Sequence, residues 1–135
     1  MNAVVLDASA GAEIVARTYL GRSLLALAPR DRTWWVPDHF HVETAAAVRR
    51  MLLQGLIDDA RASSALERLL ALPVIVNRSH PLIAEAWTYR RNLIVQDAVY
   101  VVLAKHINAP LLTGDRKMAG APNLPVQILH ISITS

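Results

Sequence analysis

The stretch DAVYVVLAKHINAPLLTGDRKM, residues 97–118, decides the fold because it combines a buried helix with a short buried strand. The helix predicted over residues 96–107 is apolar nearly all round, which is typical of a helix covered on more than one side. The strand predicted over residues 111–113 is a short apolar run, as in buried parallel sheets. It leads into Asp115, and a short helix over residues 116–119 follows. This succession is typical of an α/β fold.

The first residues repeat this pattern. VVLDASAG, at residues 4–11, carries a buried strand into Asp7, and Ser9 is placed to cap a helix over residues 11–20. The predicted strands cover 3–6, 33–36, 74–76, 111–113 and 126–131, and the other predicted helices cover 23–28, 39–54, 59–72 and 81–91. Because strands alternate with helices, we predict a single domain over residues 1–135. It is a three-layer α/β/α sandwich around a mostly parallel sheet of four or five strands.

Composition narrows the function classes. The 135 residues are 53% hydrophobic and 19% charged, which is typical of a globular protein. The chain has no cysteine, which excludes disulfides, thiolate metal sites and cysteine nucleophiles. We expect a cytoplasmic protein without a membrane segment, since there is no basic signal region and no apolar run of about 20 residues. Arginine supplies 12 of the 14 basic residues, and the net charge is +3. This suits phosphate contacts, but an ordinary solvated surface explains the charge equally well.

Four acidic residues lie where an ordinary surface does not explain them. Asp7 and Asp115 each follow a predicted strand, and parallel strands end at the same edge of a sheet. Asp97 shares a helix face with Tyr100 and other apolar residues, where a charged carboxylate is costly unless it is paired or metal-bound. Glu43 also has apolar helical neighbours. The alternatives are a first-turn acid stabilised by the helix dipole for Asp97, and an arginine-paired surface glutamate for Glu43.

If these carboxylates converge, their mutual repulsion requires either protonation or a bound cation. Oxygen ligands without cysteine or a histidine cluster select a hard ion, Mg²⁺ or Mn²⁺. Such ions activate water and stabilise charge on a phosphate group during phosphodiester hydrolysis. The pattern therefore favours a metal-dependent phosphodiesterase.

Three segments of the chain resemble the PIN-domain ribonucleases: VVLDAS, HVETAAAVRR and QDAVYVVLAKHINAPLLTGDRKMA. The likeness is strongest to the VapC toxins of type II toxin–antitoxin systems, and it extends over essentially the whole chain. The resemblance implies a parallel-sheet α/β/α fold, Mg²⁺- or Mn²⁺-dependent endoribonuclease activity on RNA, and a homodimer. It also implies a cognate VapB-type antitoxin whose C-terminal segment lies over the active site.

The resemblance assigns the catalytic and metal-binding acids to Asp7, Glu43, Asp97 and Asp115. Ser9 and Thr113 match polar positions near the family's metal site. We expect them to hydrogen-bond a carboxylate or a water rather than act as nucleophiles. Two features depart from the family pattern. Gln96 replaces a tyrosine found in many relatives, and Arg116 and Lys117 stand where some PIN domains carry another acid, which argues against a second metal bound without substrate.

Basic residues near the acids are candidates for RNA phosphate contacts. Arg116 and Lys117 lie at a predicted helix start, where backbone N–H groups also favour phosphate. The arginine pairs at residues 49–50 and 90–91 could line the same groove, although basic pairs usually mark a solvated face. His39, one turn before Glu43, is a candidate for orienting that glutamate, with a capping or surface role as the alternative.

Other classes fit less well. A haloacid-dehalogenase-like phosphotransferase requires Asp-x-Asp, whereas residues 7–9 are Asp-Ala-Ser. A receiver domain requires an acid pair ahead of its phosphoacceptor, which residues 1–6 lack. No dinucleotide-binding G-x-G-x-x-G motif follows any predicted strand. The remaining alternative is a catalytically silent PIN-like module that binds RNA or a protein partner.

Overall fold

The fold is built on five strands and seven α-helices within residues 2–131, the part of the chain that the computed structural model describes. The strands are β1 (Asn2–Leu6), β2 (Arg32–Pro37), β3 (Val74–Asn77), β4 (Leu111–Leu112) and β5 (Ile128–Leu129). The helices are α1 (Ala8–Val15), α2 (Tyr19–Leu25), α3 (Phe40–Leu53), α4 (Asp59–Ala71), α5 (Ile83–Trp87), α6 (Val95–His106) and α7 (Arg116–Gly120). A 3-10 turn over His80–Leu82 leads into α5.

All five strands run parallel, in the order β3-β2-β1-β4-β5. From β1 to β3 the chain moves towards one edge of the sheet, so right-handed crossovers place α1 to α4 on one face. From β3 it returns across the sheet to β4, which places α5 and α6 on the other face. In agreement, α1 contacts α2, α3 and α4, and α6 packs on β1 and β2. The predicted three-layer α/β/α sandwich is therefore confirmed, with five strands.

The strand order reverses between β1 and β4, which are hydrogen-bonded neighbours with Val5 opposite Leu111 and Leu6 opposite Leu112. In open α/β sheets, the crevice at such a reversal is where ligands bind, outside the carboxyl ends of the strands. Asp7 directly follows β1 at this point. The topology therefore places an acid at the edge of the sheet that is best suited to a site.

The core lies on both sides of the central strands. Val4, Val5 and Leu6 are fully buried, and residues 98–104 of α6 are all buried as well. This explains why that helix is apolar nearly all round. Trp34 is buried and Trp35 is half-buried against the core, so both neighbouring tryptophans pack. Within residues 2–131, no helix is long and apolar enough to cross a bilayer.

The prediction of one continuous helix over residues 11–20 is wrong. α1 begins earlier and ends at Val15, and Arg17 then adopts a left-handed backbone with φ of 56°. The hydroxyl of Thr18 accepts a hydrogen bond from the Gly21 amide at 2.9 Å and starts α2 as its N-cap. Because a threonine N-cap stabilises a new helix start, the chain breaks into two helices where the apolar pattern continues.

Other boundaries also differ from the prediction. The helix predicted over residues 23–28 is α2, which begins four residues earlier, at Tyr19. The helix predicted over residues 81–91 is a 3-10 turn followed by α5, which ends at Trp87. The last predicted strand, 126–131, is reduced to the two residues of β5. Each difference lies at an element's end, where sequence periodicity is least informative.

Gly21 is required where α2 passes close to the end of α1. A Cβ atom at this position would lie 2.1 Å from the carbonyl oxygen of Glu13, and that oxygen belongs to the backbone and cannot rotate away. We expect Gly21→Ala to lower the free energy of unfolding by about 2 kcal/mol, measured by urea denaturation. Gly120→Ala is the control, because a Cβ there meets nothing within 4 Å. Equal losses in the two variants would contradict this close approach.

Candidate active site

Four carboxylates line one cleft of about 390 Å³ at the carboxyl edge of the sheet. We call this the acidic cleft, and its acidic residues are Asp7, Glu43, Asp97 and Asp115. The first and last follow β1 and β4, while the other two come from α3 and α6 on opposite faces of the sheet. The structure thus brings together all four acids that the sequence singled out.

Asp7 is the most enclosed of the four acids, with 4% of its surface exposed. Its carboxylate caps α1 by accepting hydrogen bonds from the Ala10 amide at 2.9 Å and the Ser9 hydroxyl at 2.7 Å. Asp7, and not Ser9 as predicted, is therefore the N-cap of this helix. Burial, with a smaller contribution from the charge of Asp115, raises the pKa of Asp7 to about 6 despite these hydrogen bonds.

Ser9 and Thr113 connect the ends of β1 and β4. The Ser9 hydroxyl, which donates to Asp7, also accepts a hydrogen bond from the Gly114 amide at 2.9 Å. The Thr113 hydroxyl accepts from the Asp115 amide at 3.0 Å and lies 3.3 Å from the Ser9 hydroxyl. Asp115 in turn caps α7 through the backbone amide of the residue two positions on. These bonds fix the two strand-end acids relative to each other.

Glu43 is held by two donors from different elements. The Tyr100 hydroxyl donates to Glu43 Oε1 at 2.9 Å, and His39 Nε2 lies 3.2 Å from the same oxygen. Burial raises the pKa of Glu43, but the hydrogen bonds from His39 and Tyr100 outweigh it and hold the pKa below its usual value. His39 Nε2 also lies 3.2 Å from the Gln96 carbonyl, so it bridges α3 and the start of α6. The histidine thus contacts the glutamate one turn away.

Asp97 differs from the other three acids, because its carboxylate accepts no hydrogen bond from any side chain or backbone amide within residues 2–131. It lies half-buried in the first turn of α6. Burial, followed by the charges of Asp115, Asp7 and Glu43, raises its pKa to about 6. The helix dipole alone therefore does not compensate this carboxylate, which leaves its oxygens free for a ligand.

The donor set fits a hard divalent cation in kind. Within the described residues, no three histidine or acidic side chains are arranged closely enough to hold a metal ion as they stand. Mg²⁺, however, is usually bound by only one or two carboxylates and keeps several water molecules. The acidic cleft offers oxygen ligands, an excess of negative charge and the free carboxylate of Asp97. These are the properties that such an ion requires.

The basic candidates separate into two groups. Arg50 lines the acidic cleft, and its charge contributes to the lowered pKa of Glu43. Lys117 and the arginine pair at residues 90–91 line a neighbouring cleft. Arg49 and Arg116 are exposed and belong to the lining of neither. Phosphate contacts by any of these side chains remain a prediction.

Tyr100 is a site residue that was not predicted from the sequence. It was recognised only as an apolar neighbour of Asp97, although a tyrosine one turn from a suspect acid is a signal for a hydroxyl donor. We expect Tyr100→Phe to lower the free energy of unfolding by about 1 kcal/mol in urea denaturation, because the partly buried hydrogen bond to Glu43 is lost. Tyr19→Phe, at a side chain 80% exposed, is the control and should change nothing. Equal stability of the two variants would contradict a net contribution from this bond.

Residues 4–124 match the sequence profile of the PIN domain. This range begins within β1 and contains all four acids of the acidic cleft. The chain therefore belongs to the PIN domain family.

Within that family, the chain is similar to VapC ribonucleases. Ribonuclease VapC1 of Mycobacterium tuberculosis is 33% identical over 132 residues, which cover 95% of this chain and 97% of that protein. Ribonuclease VapC3 of the same organism is 36% identical over 118 residues, covering 87% of this chain and 86% of the relative. The resemblance found in the sequence is thus confirmed.

Solved structures of VapC proteins share the fold. Mycobacterium tuberculosis VapC20, described as a sarcin-ricin loop cleaving toxin, superposes with a TM-score of 0.62 at 18% identity, over 92% of this chain and 98% of its own. A chain of VapBC2 from Rickettsia felis, solved with a DNA fragment from its promoter, gives a TM-score of 0.60 at 14% identity. The match covers 95% of this chain and 98% of that one. At such identities the likeness shows the architecture.

Proposed function

We propose that this protein is an endoribonuclease, the toxin of a toxin–antitoxin pair, which hydrolyses phosphodiester bonds of RNA in the acidic cleft. The observation that carries this proposal is the lining of one cleft by Asp7, Glu43, Asp97 and Asp115, at the strand reversal of the sheet. Relatives that are 33–36% identical and named ribonucleases support the same activity.

The proposed cofactor is Mg²⁺ or Mn²⁺, held by Asp97 and Asp7 with Glu43 and Asp115 completing the negative field. When bound, such an ion activates water and stabilises the charge that develops on the phosphate. Glu43 is kept ionised at neutral pH by its two donors, so it keeps its negative charge in the field that would hold the ion. Arg50, on the same cleft wall, is suited to contact the substrate phosphate.

Ser9 and Thr113 have positioning roles in this proposal. The Ser9 hydroxyl is already engaged by Asp7 and Gly114, so it orients the carboxylate and is not free to attack a phosphate. We expect water to attack the phosphorus and the bond to the 3′-oxygen to break, with that oxygen taking up a proton. The products then carry a 5′-phosphate and a 3′-hydroxyl, and the ribose 2′-hydroxyl takes no part in the attack.

The proposed protein partners are a VapB-type antitoxin and a second copy of the chain. A structural neighbour was solved as a VapBC pair, which supports an antitoxin for this chain as well. The homodimer is inferred from the family resemblance. The proposed location is the cytoplasm, where the RNA substrate is found.

The test is to incubate the purified chain with total RNA in the presence of Mg²⁺, Mn²⁺ or EDTA, and to map the cut sites and their end groups. We expect cleavage with either metal, none with EDTA, and 5′-phosphate ends. RNA binding without cleavage under all three conditions would favour the silent PIN-like module. Cyclic phosphate ends would contradict attack by water.

A further inference from the structure

We propose that a second cleft beside the acidic one binds an unpaired nucleotide of the substrate, next to the phosphodiester bond that is cut. This inference rests on the proposed function and adds a site that distinguishes single-stranded from double-stranded RNA. The second cleft, which we call the basic cleft, measures about 450 Å³. Its lining residues include Arg90, Arg91, Asn92 and Lys117.

The two clefts are continuous. Ile94, Asp97 and Asp115 line both of them, so the acids form their shared border. A phosphate bound in the acidic cleft is therefore next to the basic cleft, which offers room for the neighbouring nucleotide. The cleft volume lies in the range that accommodates small ligands of nucleotide size.

The cations of the basic cleft are available to a ligand. Arg91 and Lys117 are exposed, and neither forms an ion pair with another residue in the range 2–131. This holds although Lys117 lies only two residues from Asp115. Cations that line a cleft beside carboxylates without pairing with them are suited to an anionic ligand, and phosphate matches the arginine fork.

Arg90 is held in place at the rim of the basic cleft. Its guanidinium lies 5.2 Å from the centroid of the Trp87 ring and donates to the Trp87 carbonyl at 3.0 Å. Stacking on an aromatic ring already restricts the arginine side chain, so less conformational entropy is lost when it binds a ligand. Because the charge is already positioned, Arg90 favours a phosphate within the basic cleft.

Asn92 supplies the contact that favours an unpaired base. Its amide carries both donors and acceptors, as does the pairing edge of a nucleobase, and that edge is free only in single-stranded RNA. Ile94, which is 61% exposed at the border of the two clefts, offers an apolar surface for the face of the base. The basic cleft thus combines contacts for a phosphate, a base edge and a base face.

The experiment measures binding of a fluorescein-labelled single-stranded RNA by the whole chain in EDTA, over a series of salt concentrations. The variant is Arg90→Ala/Arg91→Ala, and the control is Arg30→Ala/Arg78→Ala, which removes the same charge from exposed positions outside both clefts. We expect the variant to lose at least about tenfold in affinity. Its slope of log affinity against log salt should shrink by about 0.7 for each phosphate contact that is lost in single-stranded RNA. The control should match the wild type.

Equal effects of the variant and the control, no effect of either, or no binding by the wild type would overturn the inference. A duplex of the same sequence should compete at least about tenfold less well than the single strand, and equal competition would also overturn it. Failure of the proposed function is distinguishable, since binding in EDTA does not depend on cleavage. If RNA is cut, the variant should raise KM and leave kcat within about twofold.

Discussion

Asp97→Asn is expected to lower the rate of RNA cleavage at least about a hundredfold while the protein stays folded. The substitution removes the charge and keeps the shape of the side chain. Asp97 is the acid whose carboxylate accepts no hydrogen bond within residues 2–131, so no structural bond is lost with the charge. A steady-state assay on a fluorescent RNA, together with thermal unfolding, measures both properties.

Asp59→Asn is the matched control for this variant. Asp59 also lies in the first turn of a helix, α4, but it is exposed and lines neither the acidic cleft nor the basic cleft. Both substitutions remove a carboxylate from a helix N-terminus, and only one removes it from the proposed metal site. Full activity of Asp97→Asn, or an equal loss in both variants, would contradict the role assigned to Asp97.

Asp7→Asn is expected to stabilise the metal-free protein at neutral pH, although it should abolish cleavage. The pKa of Asp7 is raised from 3.8 to about 6 in the folded state, chiefly by burial. The folded protein therefore binds a proton more tightly than the unfolded chain. The stability that the Asp7 carboxyl group contributes to the folded protein is present below about pH 4 and is lost as the pH rises through about 6. A shift of about two pKa units corresponds to about 3 kcal/mol of folding stability. The charged aspartate loses this stability at neutral pH, whereas a neutral asparagine does not.

Asp58→Asn is the control, since Asp58 caps α4 in the same way through the Arg61 amide but is exposed. Asparagine is as good an N-cap as aspartate, so neither variant should lose its cap. Urea denaturation in EDTA between pH 4 and 8 should show a falling stability for the wild type and for Asp58→Asn. Asp7→Asn should show a flatter dependence. Parallel curves for all three proteins would contradict a buried, uncompensated charge at this position.

The sequence located the site because two simple rules apply to it. Buried apolar runs identified the strands ahead of Asp7 and Asp115, and parallel strands present their carboxyl ends at one edge. The cost of a carboxylate on an apolar helix face identified Glu43 and Asp97. Both rules depend on residue type and spacing along one element, which a single sequence contains.

The remaining features depend on contacts between distant segments or on competition between local bonds. The hydrogen bond from Tyr100 to Glu43 joins residues 57 positions apart, and no periodicity encodes such a pair. The break between α1 and α2 follows from the Thr18 cap and the left-handed Arg17, which override a continuous apolar pattern. The same competition made Asp7 the cap of α1 where Ser9 was predicted.

The central claim is that Asp7 and Asp97 hold one divalent ion in the acidic cleft, with Glu43 and Asp115 adding negative charge around it. Calorimetric titration of the metal-free chain with Mn²⁺ tests it most directly, with thermal unfolding as a second readout. We predict binding of an ion that raises the melting temperature, and loss of both effects in Asp97→Asn and Asp7→Asn but not in Asp59→Asn. Mn²⁺ binding that is unchanged in the two cleft variants, or no binding by the wild type, would contradict the claim.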